Sequence, residues 1–186
     1  METTTIVIIA VIALIVLWVV RGYNRLVRSR VRIDEAWAQI DTQLQRRHDL
    51  IPNLVETVKG YASHETETFQ AVTQARADAI SPHTPAGQAD AENVLTQTLG
   101  RLIAISENYP QLRADQNFRQ LQEELAHTEN MVANSRGHYN ASVRSYDEAR
   151  QVFPTSLLAS AFKFADRDYF EVDTIEVKNV PNVSFE

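Results

Sequence analysis

The chain has 186 residues and a formal net charge of −6, and hydrophobic residues make up 44% and charged residues 23% of it. This composition is that of a globular chain and excludes collagen-like and wholly disordered proteins. Because the chain has no cysteine, disulfide scaffolds, cysteine-ligated metal centres and thiol catalysis are excluded as well.

The first predicted element is a membrane-spanning helix. Residues 6–20 read IVIIAVIALIVLWVV, an unbroken apolar run, and at roughly 1.5 Å per residue the run and its flanking threonines span about 23 to 27 Å, close to a hydrocarbon core of about 30 Å. A buried core helix rarely has so long a run, and a cleaved signal peptide needs preceding basic residues and a small-x-small site. The residues expected to face lipid include Ile6, Ile9, Val11, Leu14, Leu17 and Trp18.

Five arginines follow the apolar run, and they predict its orientation. They are Arg21, Arg25, Arg28, Arg30 and Arg32. By the positive-inside rule, the N-terminus is expected outside and everything after Arg21 in the cytoplasm, with the arginines against anionic headgroups of the cell membrane. Nucleic acid is not an expected partner, because residues 33–186 carry 13 basic and 23 acidic side chains, a net charge of −10.

Apolar residues after the span recur at alternating steps of four and three from Leu26 to Tyr61. This period predicts an amphipathic helix of about forty residues that continues directly from the membrane span and ends near Gly60. Two of its seam positions are occupied by arginine, Arg30 and Arg47.

Two shorter helices are predicted next. Ser63 is expected to cap the second helix, with Phe69, Val72 and Ile80 facing inward. The proline-rich segment 81–87 is expected to be a turn, and the third helix to run from about 90 to 109 before Pro110. Its expected inward residues are Val94, Leu95, Leu99, Leu102 and Ile103.

The fourth predicted helix has eleven seam positions from Phe118 to Phe153, as many as the first helix has. If the two are antiparallel, paired positions sum to about 179, so that Tyr61 faces Phe118 and Leu26 faces Phe153. The fold class is therefore all-α: a transmembrane helix in residues 1–21, an elongated antiparallel four-helix bundle with two long and two short helices in 22–153, and a tail in 154–186.

The tail is expected to begin with a short helix, TSLLASAFKF, and to continue as an extended segment through DYFEVDTIEV and VPNVSFE. The first interpretation is that it packs over the long helices near the membrane. The alternative is insertion at the membrane interface, with apolar and basic residues contacting lipid together. These residues are Leu157, Leu158, Phe162 and Phe164, with Lys163 and Arg167 at the headgroups.

The centre of the first helix, QRRHDLIPNLVETVKGY, combines a seam arginine with an internal proline. Pro52 removes a backbone donor and presses on the carbonyl of His48, which predicts a kink and a loosened carbonyl. Arg47 is expected opposite Val132, in a polar layer that fixes helix register; the alternative is a polar cleft that binds a ligand or a partner segment. The candidate residues are Arg46, Arg47, His48, Asp49, Pro52, Asn53, Thr128, Glu129 and Asn130.

The sequence predicts no catalytic residue, no metal site and no cofactor. His48 and His127 come near each other under the pairing rule, but two histidines without a third ligand are a weak signal for a metal. No serine lies in a nucleophile elbow, and the five glycines are scattered rather than gathered in a phosphate-binding loop.

Several stretches resemble the LemA family. They are Tyr23–Glu65, with Arg46–Val55 its most specific part, Glu107–Asn130, YN at 139–140, YFE at 169–171 and the closing PNVSF. The resemblance implies a single-pass membrane protein with a cytoplasmic antiparallel helical bundle. It implies no established activity; relatives are encoded next to membrane-bound metalloproteases or belong to sets of proteins that shape internal membranes. Met131 and the run 134–138, which includes Gly137, depart from the family pattern.

We therefore expect a membrane-anchored adaptor or scaffold whose partners are the lipid bilayer and another protein, such as a membrane protease, or a second copy of itself. One alternative is a ligand-sensing module with a small-anion site near Arg47 and Pro52. Another is a self-assembling protein that organises membrane.

Overall fold

One helix, α1, runs without a break from Glu2 to Lys59 in the computed structural model of the chain. The structure describes residues 2–81 and 83–171, and the regular secondary structure within these ranges is all helical, as predicted. The further helices are α2 (Thr66–Ile80), α3 (Pro85–Ile105), α4 (Pro110–Ala114), α5 (Gln116–Gln151) and α6 (Thr155–Ala161), with a 3-10 turn at Ser106–Asn108. The extended tail predicted beyond residue 171 lies outside the described residues.

The start of α2 differs from the prediction. It begins at Thr66 with no side-chain cap, so Ser63 is not its N-cap. Phe69 and Val72 are buried as expected, but Ile80 is exposed and Ala79 is buried instead. The reason is helical geometry: residue 79 lies seven positions after Val72, on the same face, whereas residue 80 is turned a further 100°.

Helix α3 begins five residues before the predicted start. Thr84 caps it by accepting a hydrogen bond from the Gly87 amide at 3.2 Å, and Pro85 occupies the first helical position, where its missing amide is no loss. Leu95, Leu99 and Leu102 are buried as predicted, whereas Val94 is exposed. The proline-rich segment thus contains both the turn and the beginning of the helix.

The chain forms two structural units, and α1 contributes to both. Of the residues that the structure describes, the first unit takes those up to Arg47 together with Leu125–Tyr169, and the second takes those of His48–Glu124 together with Phe170 and Glu171. The second unit has an apolar core, to which α1, α2, α3, α4 and α5 each contribute. Its buried residues include Ile51, Leu54, Val58, Val72, Leu95, Leu102, Leu112 and Phe118.

In the first unit, the buried face of α1 follows steps of four and three but uses small residues at every second position. Gly22, Ser29 and Ala36 are buried at intervals of seven, between larger buried residues such as Leu26 and Ile33. Arg30, predicted on the seam, is exposed and lies over the Phe164 ring. At these positions the buried residue is the small neighbour of the predicted one: Ser29 instead of Arg30, and Ala36 beside Trp37.

Helices α1 and α5 pack against each other in the first unit. Trp37 contacts Tyr139 edge to face at a centroid distance of 5.4 Å, and these positions sum to 176 rather than 179. Phe153 is exposed and does not face Leu26, so this predicted end pairing is wrong. Helix α5 ends at Gln151, two residues before Phe153.

Candidate functional site

The apolar stretch at the start of α1 is the most distinctive surface of the described residues. Each residue expected to face lipid is exposed: Ile6, Ile9, Val11, Leu14, Leu17 and Trp18. The most apolar eighteen-residue window of α1 has a mean hydropathy of 2.9 and no part of it is buried. By length and composition, this helix can cross a membrane.

An arginine face follows directly on the same helix. Arg21, Arg25, Arg28 and Arg32 recur at steps of four, three and four, so they lie on one side of α1. With Ser145 of α5 they line a groove of about 500 Å³. No carboxylate lines the groove, and within residues 2–81 and 83–171 none of these four guanidinium groups forms an ion pair. A groove lined by four arginines and no carboxylate is suited to phosphate groups.

The second unit contains a buried polar cluster centred on His48 and Glu92. The His48 Nε2 atom lies 2.7 Å from Glu92 Oε1, and both side chains are buried. Gln88 Nε2 donates to the same oxygen at 3.1 Å and to the Ala79 carbonyl at 2.9 Å. The Glu92 Oε1 atom is therefore shared between the His48 imidazole and the Gln88 amide. The cluster thereby joins α1, α2 and α3 through polar groups that satisfy one another.

Pro52 explains a further contact of this cluster. A proline has no amide hydrogen, so the carbonyl four residues earlier, that of His48, loses its helical donor. Arg76 of α2 replaces this donor: its Nε atom donates to the His48 carbonyl oxygen at 2.7 Å. The predicted loosened carbonyl is therefore present and has a partner, while α1 remains helical through Pro52.

The nine residues predicted to form a polar layer or interaction site divide by exposure. Arg46, Asp49, Pro52, Asn53, Glu129 and Asn130 are exposed, whereas Arg47, His48 and Thr128 are buried. Of these, the structure brings His48 together with Glu92, a residue outside the predicted set. The polar layer around Arg47 stays a prediction.

A hydrogen-bonded pair on the second unit ties α5 to the loop after α1. The Tyr61 hydroxyl donates to Asp115 Oδ2 at 2.9 Å, and the Phe118 amide donates to Asp115 Oδ1 at 2.9 Å. The hydrogen bond from the Phe118 amide, and after it the one from Tyr61, lower the pKa of Asp115. The hydrogen bond to the same carboxylate raises the pKa of Tyr61. Asp115 therefore caps α5.

Comparison with known proteins decides the family. The sequence model of the LemA family matches residues 36–185, which is most of the chain. The chain belongs to the LemA family. The matched range begins within α1, after the apolar stretch and the arginine face.

Three relatives of this LemA-family chain illustrate the similarity. It is 24% identical over 174 residues to the magnetosome protein MamQ of Magnetospirillum gryphiswaldense, with 80% of this chain and 64% of that protein covered. It is 23% identical over 190 residues to magnetosome protein MamQ 2 of Paramagnetospirillum magneticum, with 88% and 70% covered. Protein LemA of Metamycoplasma hominis is 24% identical over 171 residues, with 84% and 75% covered. The chain thus spans just under two thirds of the first relative's length.

Sequence patterns could have located part of the polar cluster of this LemA-family protein. Gln88, Glu92, Leu95, Leu99 and Leu102 follow steps of four, three, four and three and form one buried face of α3. With a helix start at Pro85, the first two would have been assigned to the core. No local signal points to Arg76, because its partner is a backbone carbonyl 28 residues away.

Proposed function

We propose that the chain is a single-pass membrane protein whose helical part acts as a non-enzymatic adaptor or scaffold on the cytoplasmic face. The observation that carries this proposal is the exposed apolar stretch 6–20, which continues without a break into the helix that carries buried core residues. Fourteen exposed apolar residues on one helix are costly in water and stable in a hydrocarbon core.

The arginine face supports the orientation. Arg21 and Arg25 follow the apolar stretch within two turns, where guanidinium groups reach lipid phosphates, and Arg28 and Arg32 lie further along the same side. We place residues 1–21 outside and within the membrane, and residues 22–153 in the cytoplasm as an antiparallel four-helix bundle, followed by the tail 154–186.

The adaptor role rests on how polar groups are distributed. His48, Gln88 and Glu92 are buried and hydrogen-bonded to one another, an arrangement that fixes helix register. By contrast, Arg46, Asp49 and Asn53 are exposed on one face of α1. An exposed polar helix face held in place by a satisfied interior is suited to a protein partner.

The orientation can be tested by single-cysteine labelling, because the chain has no native cysteine. Thr3→Cys and Ala141→Cys lie on opposite sides of the proposed span, and both positions are exposed. With a membrane-impermeant maleimide, we expect position 3 to be labelled in intact cells and position 141 only after lysis. Labelling of position 141 in intact cells would overturn the orientation.

Photocrosslinking in living cells tests the adaptor role. Photoreactive residues at exposed positions 46, 53 and 130 are compared with a control at exposed position 77 of α2. The proposal expects a reproducible crosslink to a different protein at one or more of the first three positions and none at the control. Crosslinks solely to a second copy would replace the adaptor role with self-assembly, and no crosslink at any position would contradict both.

A further inference from the structure

The chain after α5 returns to α1 at the point where the apolar stretch ends. Leu158 of α6 packs so closely on Gly22 that a Cβ atom there would lie 2.4 Å from its Cδ1. The rings of Phe162 and Phe164 contact Tyr23 edge to face at centroid distances of 5.0 and 5.7 Å. Helix α6 and the residues after it are therefore fixed against the turn of α1 that follows the apolar stretch.

Coverage of α1 begins at this level. Residues 2–18 of α1 are exposed, Val19 is the first that is partly covered, and Gly22 is buried. Gly22 lies two residues after Val20, which at 1.5 Å per residue is about 3 Å along the helix axis. The α6 segment thus lies beside the end of the apolar stretch.

Four apolar side chains of this segment are exposed. Phe153 is 75% exposed, Val152 and Leu157 are each 59% exposed, and Phe162 is 52% exposed. Leu158, between Leu157 and Phe162, is buried. Two aromatic and two aliphatic side chains are thus exposed within eleven residues of the chain, and they are called the patch here.

We propose that this patch, defined as Val152, Phe153, Leu157 and Phe162, inserts into the headgroup and acyl boundary of the leaflet beside which α1 leaves the bilayer. The inference rests on the proposed membrane span. Two observations support lipid as the occupant. Leu158 and Phe162 of the same segment contact Gly22 and Tyr23, directly after the exposed apolar stretch. Arg21 and Arg25, on the same part of α1, match anionic phosphates in charge.

The structure also corrects which residues would contact lipid. The alternative interpretation of the sequence had Leu158 and Phe164 among the inserted residues, but Leu158 packs on Gly22 and Phe164 on Tyr23. Arg167, predicted at the headgroups, forms an ion pair with Asp34 at 3.2 Å. Val152 and Phe153, which are exposed, replace Leu158 and Phe164 among the residues proposed to contact lipid.

The test is depth measurement by electron paramagnetic resonance on the full-length protein in vesicles of phosphatidylcholine and phosphatidylglycerol. Nitroxide labels are placed singly by Phe153→Cys and Leu157→Cys, with Ile9→Cys inside the proposed span and Ala141→Cys on α5 as controls. Circular dichroism of each variant verifies the fold. Collisions with oxygen, which partitions into lipid, are compared with collisions with a water-soluble nickel chelate.

We expect the ratio of oxygen to nickel collisions at positions 153 and 157 to exceed that at 141 several-fold and to approach that at position 9. If 153 and 157 match 141 while 9 reports lipid, the span stands and the insertion is wrong. If both positions are shielded from both reagents, a protein surface or a second copy covers the patch and the inference is overturned. If position 9 itself reports water, the proposed span fails and the insertion fails with it.

Discussion

Pro52 and Arg76 make a sharp test of how the second unit is held together. The substitution Arg76→Met keeps most of the aliphatic stem but removes the group that donates to the His48 carbonyl oxygen at 2.7 Å. Pro52→Ala restores a backbone amide at the position from which a helix normally supplies that donor. The two substitutions should therefore be coupled: the second should relieve the effect of the first.

The magnitude follows from the hydrogen bond. A hydrogen bond to a charged group contributes about 1.5 to 3 kcal/mol, and a buried carbonyl left without a donor costs about 1 to 3 kcal/mol. We expect Arg76→Met to lower the free energy of unfolding by about 2 kcal/mol, which is about 4 to 8 °C in Tm for a chain of this size. In the Pro52→Ala background the loss should fall to about 0.5 kcal/mol, which gives a coupling energy of about 1.5 kcal/mol.

The assay is a double-mutant cycle on the full-length protein in detergent. Unfolding by urea and by heat is monitored by far-ultraviolet circular dichroism. Arg101→Met, at an exposed position of α3, is the matched control and should change the free energy of unfolding by less than about 0.5 kcal/mol. An equal loss from Arg76→Met in both backgrounds would refute the reasoning, because it would show that Arg76 does not substitute for the missing proline donor.

Three further tests address burial and packing. Glu92→Ala removes the acceptor of two buried hydrogen bonds and should lower the free energy of unfolding in urea by about 3 kcal/mol, whereas Glu92→Gln, which keeps an acceptor oxygen, should cost about half as much. Gly137→Ala, where a Cβ meets nothing within 4 Å, should stabilise α5 by about 1 kcal/mol in thermal unfolding. Gly22→Ala should give no such stabilisation, because its Cβ would lie 2.4 Å from Leu158. Equal stabilisation by the two substitutions would contradict the contact between Gly22 and Leu158. Burial raises the pKa of Tyr139 to about 12, above the ordinary value of about 10, so its contribution to stability is present below pH 10 and is lost as the pH rises through 12. Between pH 10 and pH 12, the free energy of unfolding in urea should fall less steeply with pH for Tyr139→Phe than for the unsubstituted protein. Equal dependence on pH in the two proteins would contradict the burial argument.

The long helices were predictable because burial along a helix follows a simple period. Leu26, Ile33 and Ile40 are buried as the steps of three and four require, and Arg47 is buried despite its charge. The error at Arg30 came from assigning the seam to large side chains, whereas close packing of two helices favours small ones, and the buried neighbour is Ser29.

The polar cluster was only half predictable. His48 and the effect of Pro52 on its carbonyl follow from local sequence, but the partners depend on where α3 starts and on how α2 packs. Pro85 was taken as part of a turn, which removed Gln88 and Glu92 from the predicted core. The contact of Arg76 with a backbone carbonyl depends on how α2 packs on α1, so no periodic pattern in the sequence indicates it.

The arginine groove links the folding of the first unit to the charge of its surroundings. Arg21, Arg25, Arg28 and Arg32 repel one another at helical spacings of three and four, and each like-charge pair destabilises the helix by about 0.2 to 0.5 kcal/mol. An anionic surface that neutralises them binds the folded helix in preference to the unfolded chain, so it stabilises this part of α1 by mass action. The thermal stability of the first unit should therefore report the anionic lipid content of the membrane around it.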